Sequence, residues 1–155
     1  MSDHANNFLA AEPHIVQRLQ DALAADPLPG PAVKVLTAAD LAGVKEQAQL
    51  VPAVHVIWSG FRVMDGRADG VASKLRHTWI ISAAVRNLHG GRGGSAARQE
   101  AGELLARAGA ALMGFRPPGV AGPMVLAPET PPAHFSGGFM YLPLAFHLPS
   151  IFQAS

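Results

Sequence analysis

The 155-residue sequence contains no cysteine, which excludes disulfide bonds, thiolate metal ligands and a cysteine nucleophile. It also lacks a long apolar run, and its start has neither the basic end nor the apolar stretch of a signal peptide. Charged residues make up only 15% of the chain, against 49% hydrophobic residues. The sequence therefore predicts a protein that is neither secreted nor inserted in a membrane, with part of its surface buried against partners.

Motifs for catalysis and metal binding are missing too. No glycine loop is followed by Gly-Lys-Ser/Thr, and no G-x-S-x-G motif precedes a helix. The seven histidines lack the short paired spacings that place two metal ligands on one face of a helix. The nearest pair of carboxylates, Asp65 and Asp69, lies among basic residues on a glycine-containing loop, where solvation or ion pairing is expected. We therefore expect no metal and no other cofactor, and none of these motifs supports an enzymatic activity.

One glycine-rich segment leaves an alternative open. Residues 91–96 satisfy the pattern G-x-G-x-x-[GA] between a predicted strand and a predicted helix. A dinucleotide-binding fingerprint also needs an acidic residue about twenty positions later, at a strand end. Here that distance falls in a crossing segment at Pro117 and Pro118. A flexible connector is favoured, and a nucleotide-binding domain or enzyme that uses the loop from Gly90 to Gly94 is the alternative.

Hydrophobic periodicity predicts an α+β fold. A first helix is expected from Pro13 to about Ala25, a second from a Thr37 cap to Ala48, and a third from a Ser95 cap to about Gly114. Strands are expected at residues 33–36, 53–61, 73–88, 124–127 and 138–148. The order α-β-α-β-β-α-β-β predicts a mostly antiparallel sheet flanked by about three helices. Residues 1–12 are expected to be a flexible tail and residues 13–150 a single domain.

The two central strands are joined by a charged segment, residues 62–72, that is too long for a two-residue hairpin. We expect a long, mobile β-hairpin arm. Residues 1–60 hold three Lys/Arg against six Asp/Glu, whereas residues 61–98 hold seven against two. Such a split supplies two unlike surfaces that could join copies head to tail. Nucleic-acid binding by the basic middle is less favoured, because Phe61 and Trp79 do not form an interleaved stacking platform.

Several stretches together resemble the tail terminator, or tail-completion, proteins of Mu-like tailed phages. They are residues 54–88, the helix containing EAGELLARAGAAL and the ending HFSGGFMYLPLAF. The element order is similar to that of lambdoid terminators, and the likeness covers roughly residues 15–148. It implies a structural virion protein that forms a hexameric ring on the tail tube, terminates tube polymerisation and provides a surface for head–tail joining. It also implies assembly in the host cytoplasm, a place at the head-proximal end of the tail, and no membrane.

The resemblance also implies the partners. They are further copies of the chain, the tail tube protein, a neck or head-completion protein and, in a contractile tail, the sheath, with DNA only as passing cargo. Another tail component, such as a tube or sheath-capping subunit, is a second alternative. We expect the subunit or tube interface on the arm, at Arg62, Asp65, Arg67, Asp69, Lys74 and Arg76. A mobile loop that a partner would order is expected at His89, Gly90, Gly91, Arg92, Gly93 and Gly94.

Overall fold

The structure is a computed structural model that describes residues 6–86 and 91–155, with side chains from residue 95 onward in the second range. The helices are α1 (Glu12–Ala25), α2 (Ala38–Leu41) and α3 (Gly91–Leu112), and a 3₁₀ turn spans Glu46–Ala48. The strands are β1 (Lys34–Thr37), β2 (Ala53–Gly66), β3 (Ala72–Arg86), β4 (Val125–Leu126), β5 (His134–Ser136) and β6 (Phe139–Gln153). The predicted α+β class is confirmed.

Within the described residues, the strands form one six-stranded sheet in the order β1-β2-β3-β6-β4, with β5 also paired to β6. The β1–β2 pair is parallel and the other pairs are antiparallel. Strand β3 lies at the centre and pairs with β6 along its whole length, from Ala72 opposite Gln153 to Arg86 opposite Phe139. The sheet is therefore mostly antiparallel, as the sequence predicts, and it is built around β3.

One face of the sheet, here called the helix face, is covered by α1 and α3. The alternation in β3 correctly predicts the side chains that point toward it, which are all buried: Leu75, His77, Trp79, Ile81, Ala83 and Val85. Trp79 and Ile81 pack in one cluster with Leu19 of α1 and Leu104 of α3. Full burial of one large apolar side chain stabilises the fold by about 1.5–3 kcal/mol. This cluster anchors the sheet to the helices.

Helix α3 begins four residues before the predicted cap at Ser95, so the expected connector through Gly94 is wrong for residues 91–94. Downstream, Ala97, Ala101 and Leu104 are buried. Once such a helix has nucleated, each added residue gains a hydrogen bond, which offsets a glycine penalty of about 1 kcal/mol per residue. His89 and Gly90 lie outside the described residues, and partner ordering of this segment stays a prediction.

The second predicted helix is much shorter than expected. Thr37 and Asp40 do form a capping box, because the Thr37 amide donates to the Asp40 carboxylate at 2.9 Å and the Asp40 amide donates to the Thr37 hydroxyl. The helix nevertheless ends at Leu41, and Gly43 then adopts a φ of +76°. A left-handed glycine ends the helical path, so the prediction of one helix through Ala48 is wrong.

The packed part of the chain reaches further at both ends than residues 13–150. The Asn6 side-chain amide donates to the Gln153 carbonyl at 2.9 Å, and the Asn6 side-chain oxygen accepts from the Gln153 amide at 3.2 Å. Phe8 is half-buried and touches aromatic rings of three strands. Residues 6–12 therefore differ from the flexible tail that was expected, because an aromatic side chain fixes them against the sheet.

Candidate interaction surface

The strands β2, β3 and β6 extend together into one projection, here called the arm, made of residues 59–76 and 148–153. Residues 53–56 of β2 are buried, whereas residues 61–66 are all exposed. The predicted hairpin is confirmed as a pair, with Asp65 opposite Lys74 near its end. The expectation of two strands alone is wrong, because β6 continues beside β3 as far as Gln153. A third strand stiffens the arm, since two-stranded hairpins alone are only marginally stable.

An aromatic cluster holds the base of the arm on the helix face. The Phe8 ring lies 5.1 Å from the Phe61 ring and 5.0 Å from the Phe152 ring, centroid to centroid, both edge to face. The rings of Trp58 and His77 complete the cluster. Edge-to-face pairs of this kind contribute about 0.5–1.5 kcal/mol each beyond their buried area. The N-terminal segment therefore replaces the helix layer here.

His77 lies inside this cluster, and its two hydrogen bonds assign one neutral tautomer of the ring. Trp58 Nε1 donates to His77 Nδ1 at 3.0 Å, which requires an unprotonated Nδ1. The second ring nitrogen, Nε2, is then the protonated one and donates to Ser150 Oγ at 2.9 Å. Burial lowers the pKa of His77. His77 is therefore a neutral, satisfied core histidine that ties β2, β3 and β6 together, and the geometry gives it no role as a metal ligand.

The exposed surface of the arm is more apolar than its sequence suggests. Val63 is 59% exposed and Phe61 is 44% exposed, and Met64, Val71 and Phe152 are also exposed large apolar side chains. The pairing register shifts between Trp58 and Phe61, where Gly60 has a φ of +97°. Contiguous exposed apolar side chains on a soluble fold mark interaction surfaces. The arm therefore carries apolar anchors as well as charges.

The six predicted interface residues fall into two groups. Arg67 and Asp69 form an ion pair at 2.7 Å in the turn between β2 and β3, and Asp69 also accepts from the Val71 amide. Asp65 accepts from the Gly66 amide at 2.9 Å. These three side chains shape the tip of the arm internally. Exposed pairs of this kind contribute little to stability, about 0–1 kcal/mol.

The other three, Arg62, Lys74 and Arg76, form no ion pair within residues 6–86 and 91–155. They lie on the sheet face opposite to the helices, here called the open face. Arg62 stands directly opposite Arg76 in the strand register. Like charges in that position destabilise a sheet. The arm therefore keeps a cationic cluster that no ion pair neutralises in the described part of the chain.

Two members of the cationic cluster, Lys74 and Arg76, line a depression of about 340 Å³ on the open face. Its lining residues are Met64, Lys74, Leu75, Arg76, Pro123, Val125, His147 and Pro149. Burial first, and the charge of Arg76 second, lower the pKa of His147. His147 is thus neutral at neutral pH, and the positive charge comes from the arginines and the lysine. The depression offers an apolar floor with cationic walls.

Sequence reasoning missed the apolar character of the arm and the role of Phe8. The sequence prediction ends the second strand at Phe61 and so places Val63 and Met64 in a loop. Their alternation with Arg62 has the period of a strand, and β2 does continue through them. The partnership of Phe8 with Phe152 joins residues 144 positions apart and leaves no local signal. Long-range aromatic contacts of this kind can be identified only from the folded structure.

Two further findings bear on function. In the ranges 6–86 and 91–155, no helix combines the length and the apolar character needed to cross a membrane. In the same part of the chain, no three histidine or acidic side chains come together in a way that could hold a metal ion. The arm remains the prominent chemical feature.

Comparison with models of protein families decides the class. The model described as phage tail terminator protein matches residues 4–154, nearly the whole chain. The chain belongs to the phage tail terminator family. This tail terminator is therefore a structural protein of the phage tail. A comparison with curated proteins finds no match.

Proposed function

We propose that this tail terminator forms a closed ring of six copies on the finished tail tube, at the head-proximal end, where it stops tube polymerisation. The observation that carries the proposal is the arm. It presents exposed apolar side chains, and cations that form no ion pair with the described residues, on a stiff three-stranded support. The opposite side of the ring is the surface for a neck or head-completion protein. In a contractile tail the rim also meets the end of the sheath.

The physical requirements for a cap fit the arm. A growing tube ends when its last layer is covered by a subunit that binds it but does not reproduce the same binding surface on its outer side. Binding needs apolar area that leaves water on contact, at about 25 cal/mol per Å². Phe61, Val63 and Phe152 supply such area. Ring closure needs two unlike surfaces on each copy, which an asymmetric arm and the body of a neighbour provide.

Cryo-electron microscopy of the tail end tests this function directly. The expected result is a six-fold ring of density at the head-proximal end of the tube, in which each subunit fits the six-stranded sheet and α3. The arms are expected to contact the tube or the next subunit.

Two outcomes would contradict the proposal. Density for this fold repeated along the tube would make the chain a tube subunit, and density only around the sheath end would make it a sheath cap. A tail whose tube end lacks the fold altogether would exclude the capping role.

A further inference from the structure

The cationic cluster of the arm needs an anionic partner, and the chain itself offers a candidate for the role. Arg62 and Arg76 face each other without an ion pair inside the described residues, and Lys74 lies on the same face. A nearby carboxylate would turn an unfavourable like-charge pair into charge-assisted hydrogen bonds, since arginine binds carboxylates through two parallel N–H bonds. The apolar floor of the depression favours a protein segment over a bare phosphate backbone.

Most carboxylates in the described part of the chain are already engaged. Asp21 accepts a hydrogen bond from Gln17, and Asp26 and Glu103 form ion pairs with Arg107. Asp40 caps α2, and Glu46 accepts hydrogen bonds from Tyr141 and Ser136. Asp65 and Asp69 form hydrogen bonds within the arm. Glu12 is half-buried in the first turn of α1, and Glu100 lies on α3. Glu100 and Glu129 are both exposed, but of the two only Glu129 lies in an uninterrupted exposed segment and not on a helix.

The segment that carries Glu129 has the form of a docking element. Residues 128–137 are exposed without interruption and contain Pro128, Pro131 and Pro132. Prolines hold such a segment extended before it binds, which lowers the entropy cost of ordering it. Phe135, 55% exposed, adds a large apolar side chain to the same stretch. Here the segment is called the proline segment.

Glu129 lies far from Arg76 of its own molecule, although Val125, four residues earlier, lines the depression. Arg76 pairs with Pro149 in the register, whereas the Thr130 hydroxyl donates to the carbonyl of Pro143 at 3.0 Å. Six residues of an antiparallel strand separate those two points, about 20 Å. In this arrangement an ion pair between Glu129 and Arg76 joins two copies.

We propose that the depression on the open face of the arm receives the proline segment of a neighbouring copy, with Glu129 bound between Arg62 and Arg76. The contact is heterologous, because one copy gives the arm and the next gives the proline segment, so it propagates around a ring. This inference rests on the ring of the proposed function and names the surfaces that close it. The side chains of Met64, Val125 and Pro149 supply the apolar contact for the prolines.

Cross-linking tests the contact cleanly because the chain has no cysteine. One chain carries Arg76→Cys and a co-expressed chain carries Glu129→Cys, and purified tails are treated with a short bis-maleimide. The expected result is a cross-linked dimer. The matched control pairs Arg76→Cys with Glu100→Cys, an exposed acid outside the proline segment, and is expected to give no dimer.

Failure of this inference is distinguishable from failure of the proposed function. If the tails carry the six-fold ring but the 76/129 pair gives no dimer, or only the 76/100 pair does, the inference is overturned and the ring stands. If no ring is present on capped tails, both are overturned.

Charge reversal supplies a second test. Arg76→Glu and Glu129→Arg are each expected to reduce the number of tails with a ring, and the two together are expected to restore it, since opposite charges face each other again. A double variant no better than either single one would overturn the contact. A DNA-binding result would overturn it as well. If duplex DNA retains the protein in a salt-dependent way, Arg76→Glu abolishes that retention and no 76/129 dimer forms, the cationic cluster binds phosphate instead.

Discussion

At the scale of single residues, His77 shows how the arm is fixed to the body. Its two ring nitrogens are both engaged, by Trp58 on β2 and by Ser150 on β6. The hydrogen bond from Trp58 exists only while Nδ1 carries no proton. Protonation of Nδ1 would turn this acceptor into a donor that faces the Trp58 N–H, inside a cluster of aromatic rings. We therefore expect the base of the arm to be sensitive to acid.

The pH dependence of stability has a definite sign. Burial lowers the pKa of His77 in the folded state, so the unfolded chain binds more protons than the folded chain at acid pH. The contribution of neutral His77 is complete above the ordinary histidine pKa of about 6.5 and decreases as the pH falls below it. We expect the melting temperature to drop between pH 7.5 and pH 5, on the order of several degrees.

A variant pair separates His77 from other acid effects. His77→Gln keeps an acceptor and a donor but cannot titrate, so its melting temperature is expected to fall less than that of the wild type over the same pH range. His134→Gln, at an exposed position, is the control and is expected to follow the wild type. Calorimetry of the three proteins measures the difference, and parallel curves for His77→Gln and the wild type would contradict this role of His77.

At the scale of elements, the sequence predicts strands and helices where one periodicity persists. The alternation in β3 and the apolar stripe of α3 both correctly identify their buried faces. Pro143 predicts an edge or bulge in β6, and it lies between the short partners β4 and β5, with its carbonyl bound by Thr130. Element ends are less predictable, because helical hydrogen bonding extends α3 to Gly91 and pairing with β3 extends β6 to Gln153, against local preference.

Two glycines of α3 allow a matched test of how closely that helix packs. An added Cβ at Gly109 would lie 2.8 Å from the Leu144 Cδ1 atom of β6, whereas one at Gly102 would meet nothing within 4 Å. Gly102→Ala is expected to stabilise the protein by about 0.5–1 kcal/mol through helix propensity. Gly109→Ala is expected to be about 1–3 kcal/mol less stable than Gly102→Ala, because overpacking displaces Leu144.

Urea unfolding of the two glycine variants measures this difference. Equal stabilisation by both substitutions would mean that Leu144 rotates away at no cost and that α3 does not pack closely on β6 at Gly109.

At the scale of the whole molecule, the charge split along the sequence correctly indicates a basic arm but not its partner. Four of the six residues expected at the interface lie in the hairpin turn or beside it. Three of them, Asp65, Arg67 and Asp69, form ion pairs or hydrogen bonds within the arm itself. The apolar anchors and the proline segment depend on how β2, β3 and β6 extend together, which no local pattern encodes. Resemblance to a family indicates the class of protein, whereas the exposed apolar and cationic surfaces of the arm are visible only in the structure.

We propose that the arm makes this tail terminator a cap on the tail tube. The length distribution of tail tubes in electron micrographs tests this most directly, with phage that carry Val63→Ser and Met64→Ser, two exposed apolar side chains of the arm that lie outside the aromatic cluster. The matched control is Leu50→Ser with Met113→Ser, two apolar side chains that are 56% and 57% exposed but lie off the arm. Both variants must first unfold at the wild-type temperature, as surface changes of this kind allow.

If the arm caps the tube, the arm variant is expected to give tubes of irregular, excessive length without heads, and the control tubes of wild-type length. Wild-type tube length and normal head attachment in the arm variant would contradict it.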